Sequence, residues 1–235
     1  MPAPVPRRNS FSKPLSSDQV KLLSMELLNF SLIVVALLVL HPRYPPFLVY
    51  SSINVLRLSI WASLSLGDPG ADSPPLACFR HRPKASRFCS TCKKIVPDLD
   101  HHCTWLNTCV GSANYGRFLA LVGLCVAAHL FFVVIGGSAL IGDPFFPSSL
   151  ADSASDDDPF QLPGKIVLAA ATATSLLLGL SSLCLIAFHL YIIFALDMRT
   201  YDWMLYQRKA EVEKRRKAEK KRLSKSKVTP TAEAP

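Results

Sequence analysis

Four stretches of this chain are apolar over enough length to cross a bilayer, which takes about 20 consecutive residues. They are Leu22 to Leu40, Tyr44 to Leu66, Phe118 to Ile141 and Ile166 to Leu196. The second is the weakest, because it carries Asn54 and Arg57. The fourth is longer than one span needs, and helix is expected to continue beyond the lipid. The pattern predicts an all-α integral membrane protein with four transmembrane helices and a small cytosolic loop domain. Its segments are an N-terminal arm (1–21), helices 1 and 2 (22–66), the loop domain (67–117), helix 3 (118–141), a short loop (142–164), helix 4 (165–196) and a tail (197–235). The first run does not read as a signal peptide: basic residues are spread thinly before it and no small-residue cleavage site follows.

Composition agrees. Half of the 235 residues are hydrophobic and only 18% are charged, below the roughly 25% typical of soluble domains. With 10 Gly and 7 Cys, the chain is neither collagen-like nor a disulfide scaffold. The net charge of +9 is unevenly placed: 12 of the 26 Lys and Arg lie between Arg199 and Lys227. That suits a basic tail at a membrane better than a nucleic-acid-binding domain, and no nucleic-acid partner is expected. Glu211 with Arg215 and Glu213 with Lys217 are i, i+4 pairs that support a solvated helix in this tail. The first fifteen residues and the last eight are expected to be disordered.

Orientation follows from the basic residues. The N-terminal arm holds Arg7, Arg8, Lys13 and Lys21, and the segment from Gly67 to Arg117 holds seven basic residues. Gly142 to Gly164 holds five Asp and no Lys or Arg. The acidic loop is therefore expected in the lumen or outside, and both termini and the middle loop in the cytosol. Four spans satisfy that arrangement. Arg57 is the residue hardest to place: it can snorkel, pair with a carboxylate, or mark a tilted span. His129 and His189 are expected to reach an interface or a helix partner, and Cys125 and Cys184 to be packing or lipid-facing thiols.

Chemistry concentrates in Cys78 to Gly111, which holds five of the seven cysteines and three of the six histidines. In the cytosol such cysteines point to metal or catalysis rather than disulfides. Cys89 and Cys92 have the C-x-x-C spacing that grips zinc from a tight turn, and His102 and Cys109 can complete a Cys₃His site. Cys103 follows Asp100, His101 and His102. A histidine beside a thiol can take its proton, and a carboxylate beside that histidine can fix its tautomer. Spacing alone leaves a second reading open, in which both histidines and Cys103 are alternative zinc ligands.

Asp100-His101-His102-Cys103, Trp105, Asn107, Cys109-Val110-Gly111 and Asn114-Tyr115-x-x-Phe118 together resemble the cysteine-rich domain of the DHHC protein S-acyltransferases. Asp68-Pro69-Gly70 resembles their D-P-G motif, and Arg199-Thr200-Tyr201-Asp202 their T-T-x-E motif. The resemblance covers about Leu22 to Asp202. It implies that a fatty acyl group moves from acyl-CoA, such as palmitoyl-CoA, to Cys103 as a thioester. From there it passes to a cysteine of a membrane-associated substrate protein. It further implies that Asp100 and His101 activate Cys103, and that Cys89, Cys92, His102 and Cys109 bind zinc. Thr200 then contacts the motif Asp, and Trp105 lies beside the acyl site. The implied location is an endomembrane or the plasma membrane.

The chain also departs from the family pattern. A second zinc site would fall on Pro75, Cys78, Phe88 and Ile95, of which only Cys78 is a ligand type. One zinc ion is therefore expected, with Phe88 and Ile95 as an apolar plug in place of the second. Thr104 and Thr108 stand where proline and asparagine are common, and Arg199 and Asp202 replace a Thr and the Glu of T-T-x-E. A catalytically weak or inactive zinc-containing scaffold that binds partner proteins is the alternative reading. The intact Asp100-His101-x-Cys103 arrangement argues against it.

Overall fold

The structure is a computed structural model and describes residues 9–40, 45–67, 86–141 and 161–226. Five helices account for most of these: α1 (Ser17–Leu40), α2 (Pro45–Leu66), α3 (Tyr115–Ile141), α4 (Gln161–Phe194) and α5 (Thr200–Ser226). Four three-residue strands lie between α2 and α3: β1 (Arg87–Cys89), β2 (Lys94–Val96), β3 (His101–Cys103) and β4 (Thr108–Val110). They pair as two antiparallel hairpins, β1 with β2 and β3 with β4. The expectation of an all-α chain is corrected at this point. A C-x-x-C turn and an adjacent-histidine motif are held by extended backbone, and the hairpins supply it. The D-P-G motif, Pro75, Cys78, most of the acidic loop and the last eight residues lie outside the described residues.

Among the described residues three helices are long and apolar enough to cross a membrane: Ser17–Ala36, Tyr115–Ile141 and Leu162–Phe194. The chain is a multi-pass membrane protein. At 1.5 Å per residue α4 is roughly 50 Å long, longer than a hydrocarbon core of about 30 Å. Helix α2 has 22 residues, enough for a span. Its serines, Asn54 and Arg57 keep it from joining the three on apolarity.

The chain forms two compact units, residues 1–188 and 189–235. In the first, one apolar core draws on four helices: Ile33 and Ala36 of α1, Tyr50 of α2, Ala128 and Phe132 of α3, and Leu168 and Ala171 of α4. Helices α3 and α4 run antiparallel. Gly123 meets Ile186, Gly179 lies against His129 and Leu130, and Gly136 lies against Thr172. At Gly136 a Cβ would fall on the Thr172 hydroxyl, so only glycine allows that approach. Asn29 of α1 accepts hydrogen bonds from Thr174 (2.7 Å) and Ser175 (3.1 Å) of α4. In the second unit α4 ends at Phe194, Asp197 takes a left-handed φ of 47°, and α5 begins. Helix α5 is half-buried in its first turns and mostly exposed from Tyr206 on, where it carries the Glu211–Arg215 and Glu213–Lys217 pairs.

Arg57 pairs with a carboxylate. Its Nη1 lies 2.9 Å from Glu26 Oε2 on α1 and 3.4 Å from His129 Nε2 on α3, and His129 Nε2 lies 3.3 Å from Glu26 Oε1. Three helices thus meet at one ionic cluster. The N-terminal arm differs from expectation as well. Asn9 to Leu15 is placed: Ser10 is fully buried, because its N–H donates to the Ser65 carbonyl at the end of α2 (3.0 Å).

Charges in a bilayer are tolerated when paired, and breaking a buried pair leaves an uncompensated charge. Glu26→Ala should therefore lower stability in detergent micelles by about 3–5 kcal/mol. The double variant Glu26→Leu/Arg57→Leu should lose less than the single one. Thermal unfolding of both variants checks this; additive losses would mean that the two charges are independent.

Candidate functional site

Both hairpins are built alike. Four residues connect each pair of strands, and the last of them is left-handed: Lys93 at φ 55° and Asn107 at φ 52°. In the first turn the Cys92 N–H donates to Cys89 Sγ at 3.4 Å, which draws the two thiols of the C-x-x-C pair together. In the second hairpin His102 and Cys109 are direct cross-strand partners. Side chains of such partners share a face. The first hairpin thus contributes two sulfurs from a turn, and the second contributes one nitrogen and one sulfur from a rung.

These four donors converge. The ligand atoms of Cys89, Cys92, His102 and Cys109 lie within 4.8 Å of one another. His102 Nδ1 is 3.4 Å from Cys92 Sγ, 3.7 Å from Cys109 Sγ and 3.8 Å from Cys89 Sγ. Hydrogen bonds from the Cys109 and Cys92 thiols hold Cys89 well below the usual thiol range, and the same contacts push Cys109 up. The thiolate is the form of cysteine that binds metal. Three thiols and an imidazole in this arrangement fit a tetrahedral metal ion, and no other such cluster is present among the described residues. Val96 and Leu99 are the apolar residues packed with the thiols, too little core to hold two hairpins by burial alone. Phe88 and Ile95 do pair across β1 and β2, but they are 62% and 63% exposed. The expected apolar plug is corrected accordingly. Their shared face points away from the thiol cluster, because side chains alternate along each strand.

The same alternation separates the two histidines. On β3, His101 and Cys103 share one face and His102 takes the other. His101 Nδ1 donates to Asp100 Oδ2 at 2.7 Å, and the carboxylate is fully buried. His101 is also hydrogen-bonded to Cys103. Burial alone would pull the imidazole down, but the bonds to Asp100 and Cys103 lift it to about 9. The ring of Phe118, at the start of α3, stands edge-on to His101 with centroids 5.3 Å apart. Asn114 fixes this junction: its side chain accepts from the Gly111 N–H (2.8 Å) and donates to the Cys109 carbonyl (2.9 Å). A Cβ on Gly111 would lie 2.8 Å from the Pro97 carbonyl, which excludes larger residues from that crossing.

Cys103 is 7% exposed and opens onto a cavity of about 460 Å³, within the usual range for small-molecule sites. Trp105, at the β3–β4 turn, and Leu106 line it near Cys103, and Phe118, Leu121 and Val122 continue the wall along α3. Glu26, Cys125, Ser181, Ser182 and Cys184 also reach the cavity. Sequence reasoning did not assign them there. A lone acid in the first apolar run was the signal available for Glu26. Thr200 opens α5 in the second compact unit. Seven of the eight expected site residues of the first unit therefore gather in two sets, Cys89–Cys92–His102–Cys109 and Asp100–His101–Cys103, on opposite sides of β3, and the eighth, Trp105, lies in the turn that follows.

Known proteins were compared with this chain. Residues 73–207 match the family described as DHHC palmitoyltransferase. The chain is 40% identical over 58 residues to "Probable protein S-acyltransferase 15" of Arabidopsis thaliana, covering 25% of this chain and 23% of that protein. It is 39% identical over 70 residues to "Palmitoyltransferase pfa3" of Emericella nidulans, covering 30% and 14%. It is 43% identical over 60 residues to "Palmitoyltransferase ZDHHC8" of Homo sapiens, covering 26% and 8%. The aligned segments thus span less than a quarter of each of these relatives. The family match covers more than half of the sequence and contains both hairpins, so the chain belongs to the DHHC palmitoyltransferase family.

Proposed function

We propose that this protein is a protein S-acyltransferase that moves a fatty acyl group from acyl-CoA, through a thioester on Cys103, to cysteine thiols of substrate proteins. The observation that carries this reading is the Asp100–His101–Cys103 chain of hydrogen bonds, which ends on a cysteine that lines a mostly apolar cavity. With Nδ1 of His101 donating to Asp100, Nε2 takes the Cys103 proton. The thiolate attacks the acyl-CoA carbonyl, the carbon–sulfur bond to CoA breaks, and the CoA thiolate is protonated as it leaves. In the second step the thiolate of a substrate cysteine attacks the Cys103 thioester and regenerates Cys103. Asp100 orients the ring and stabilises the imidazolium. Trp105, Leu106 and the α3 wall hold the acyl chain out of water. Thr200 enters the proposal from the family motif alone, as a support for the catalytic pair.

One zinc ion on Cys89, Cys92, His102 and Cys109 would contribute folding energy to the hairpins. The same residues then leave Cys103 free as nucleophile.

Helix α2 is proposed as a fourth span. Ser52, Asn54 and Ser59 hydrogen-bond carbonyls of their own helix, which satisfies polar groups without water. Val55, Leu56 and Leu58 are exposed, as a lipid-facing surface requires, and Arg57 is turned into the ionic cluster. Four spans place both ends and the hairpins on the cytosolic side, where the basic residues lie, and the acidic segment on the other. The lipid bilayer and membrane-associated proteins bearing cysteines near its surface are the partners this geometry suits, in an endomembrane or the plasma membrane.

Incubation of purified protein with labelled palmitoyl-CoA should give a hydroxylamine-sensitive label that Cys103→Ala abolishes. Equal labelling of the two would sink the assignment. His101→Ala should slow labelling by about 10²- to 10⁴-fold and retain metal, whereas His102→Ala should lose metal; equal metal loss would reverse or mix the roles. Elemental analysis should give one zinc per chain. Cys78→Ser should leave that content unchanged and Cys92→Ser should empty the site, and a value near two would overturn the single-site reading.

A further inference from the structure

The arm before α1 is tied to the β3–β4 turn. Asn107, buried at 1% exposure, donates from Nδ2 to the Ser10 carbonyl at 2.8 Å. Gln19 Nε2 donates to the same carbonyl at 3.4 Å, and the Ser10 N–H donates to Ser65. The strap keeps its shape through a local turn: the Phe11 N–H donates to Asn9 Oδ1 at 3.1 Å and the Ser12 N–H to the Asn9 carbonyl at 3.2 Å. Phe11 meets Trp61 of α2 edge-on, with ring centroids 6.1 Å apart. The turn held in this way carries Trp105 and Leu106, and Leu106 shares a core with Cys103 and with Leu64 of α2. The strap therefore braces the turn that follows Cys103 against the end of α2.

Every tie that Ser10 makes in this network is through its main chain. Its hydroxyl is fully buried and has no hydrogen-bond partner among the described residues. Its sequence setting is Arg7-Arg8-Asn9-Ser10-Phe11: two arginines three and two positions before a serine, with an apolar residue after it. Serine kinases with acidic substrate clefts bind that pattern through charge-assisted bonds to the arginines.

We propose that Ser10 is a phosphorylation site and that its phosphate releases the strap from the β3–β4 turn. This rests on the acyltransferase reading for its consequence and on the cytosolic arm for access to kinase and ATP. In the step itself, Ser10 Oγ attacks the γ-phosphorus of ATP and loses its proton. The bond from that phosphorus to the β–γ bridging oxygen breaks, and ADP leaves. A phosphoserine carries a charge of about −1.5 to −2 and three strong acceptor oxygens. A site that holds a serine with no exposed surface and no partner for its hydroxyl cannot desolvate that group. The phosphorylated strap moves to water, and Asn107 loses the carbonyl that holds it. Kinase access comes through local opening, since a short strap tied by a few hydrogen bonds belongs to the low-stability end of a fold.

The test uses the purified full chain, the catalytic subunit of cyclic-AMP-dependent protein kinase with ATP, and labelled palmitoyl-CoA. Phosphate should map to Ser10, and the initial rate of Cys103 labelling should fall roughly tenfold or more, since small misplacements of reacting groups have effects of that size. Zinc content should stay the same, and amide exchange at 104–108 should accelerate. The kinase should have no effect on rate or exchange in Ser10→Ala. Ser10→Asp should reproduce the slow rate. If that variant loses zinc through misfolding, deletion of residues 1–12 replaces it, with the same expected result. Phosphate elsewhere than Ser10, or at Ser10 with rate and exchange unchanged, overturns the proposal. If the unmodified protein takes no label, the acyltransferase reading fails, and amide exchange at 104–108 alone decides whether the phosphate releases the strap.

Discussion

Extended backbone sends neighbouring side chains to opposite faces, and the arrangement of the whole site depends on that rule at His101 and His102. Had the dipeptide lain on a helix, the two imidazoles would stand about 100° apart and compete for one environment. On β3 they are separated outright. One face meets three sulfurs, and the other meets a buried carboxylate and a thiol. The hairpin that enforces this is three residues deep on each strand, so it depends on what surrounds it. The sulfur cluster on one side and the packing of Leu106, Val110 and Phe118 on the other hold a strand too short to persist alone.

Much of the site was legible in the sequence because its residues are close together in the chain. Cys89 to Cys109 is a single short segment, and local spacing alone determines which side chains a tight turn can converge. The same segment hid the strands, since three-residue strands carry no measurable alternation. Arg57 was legible as an anomaly and not as a contact. Its partners, Glu26 and His129, lie 31 and 72 residues away, and no local rule relates them. The Ser10 strap was read as disorder because polar, proline-bearing termini usually are. What orders it is a main-chain carbonyl accepting from Asn107, 97 residues on, an interaction to which the identity of residue 10 contributes little. Phe88 and Ile95 show the reverse error. Two apolar residues at suitable spacing suggested burial, but strand register turned them outward.

The cavity joins the two kinds of structure. Cys103, Trp105 and Leu106 line it beside residues of α1, α3 and α4, so its shape depends on the hairpins staying seated on the helices. Asn114 at the start of α3 and Leu64 at the end of α2 are the joints on either side. The first acts through its side-chain amide and the second through apolar packing.

The cluster of Glu26, Arg57 and His129 has a consequence for biosynthesis. A helix as polar as α2 is a poor candidate to enter lipid by itself, and an arginine near its middle adds a few kcal/mol to the difficulty. Glu26 sits on the preceding helix and emerges from the ribosome first. Once α1 is in place, its carboxylate offers Arg57 a partner at the depth where the guanidinium must reside. With α2 as the proposed fourth span, the two helices are suited to enter the bilayer as one hairpin, the acid of the first supplying the partner that the arginine of the second needs.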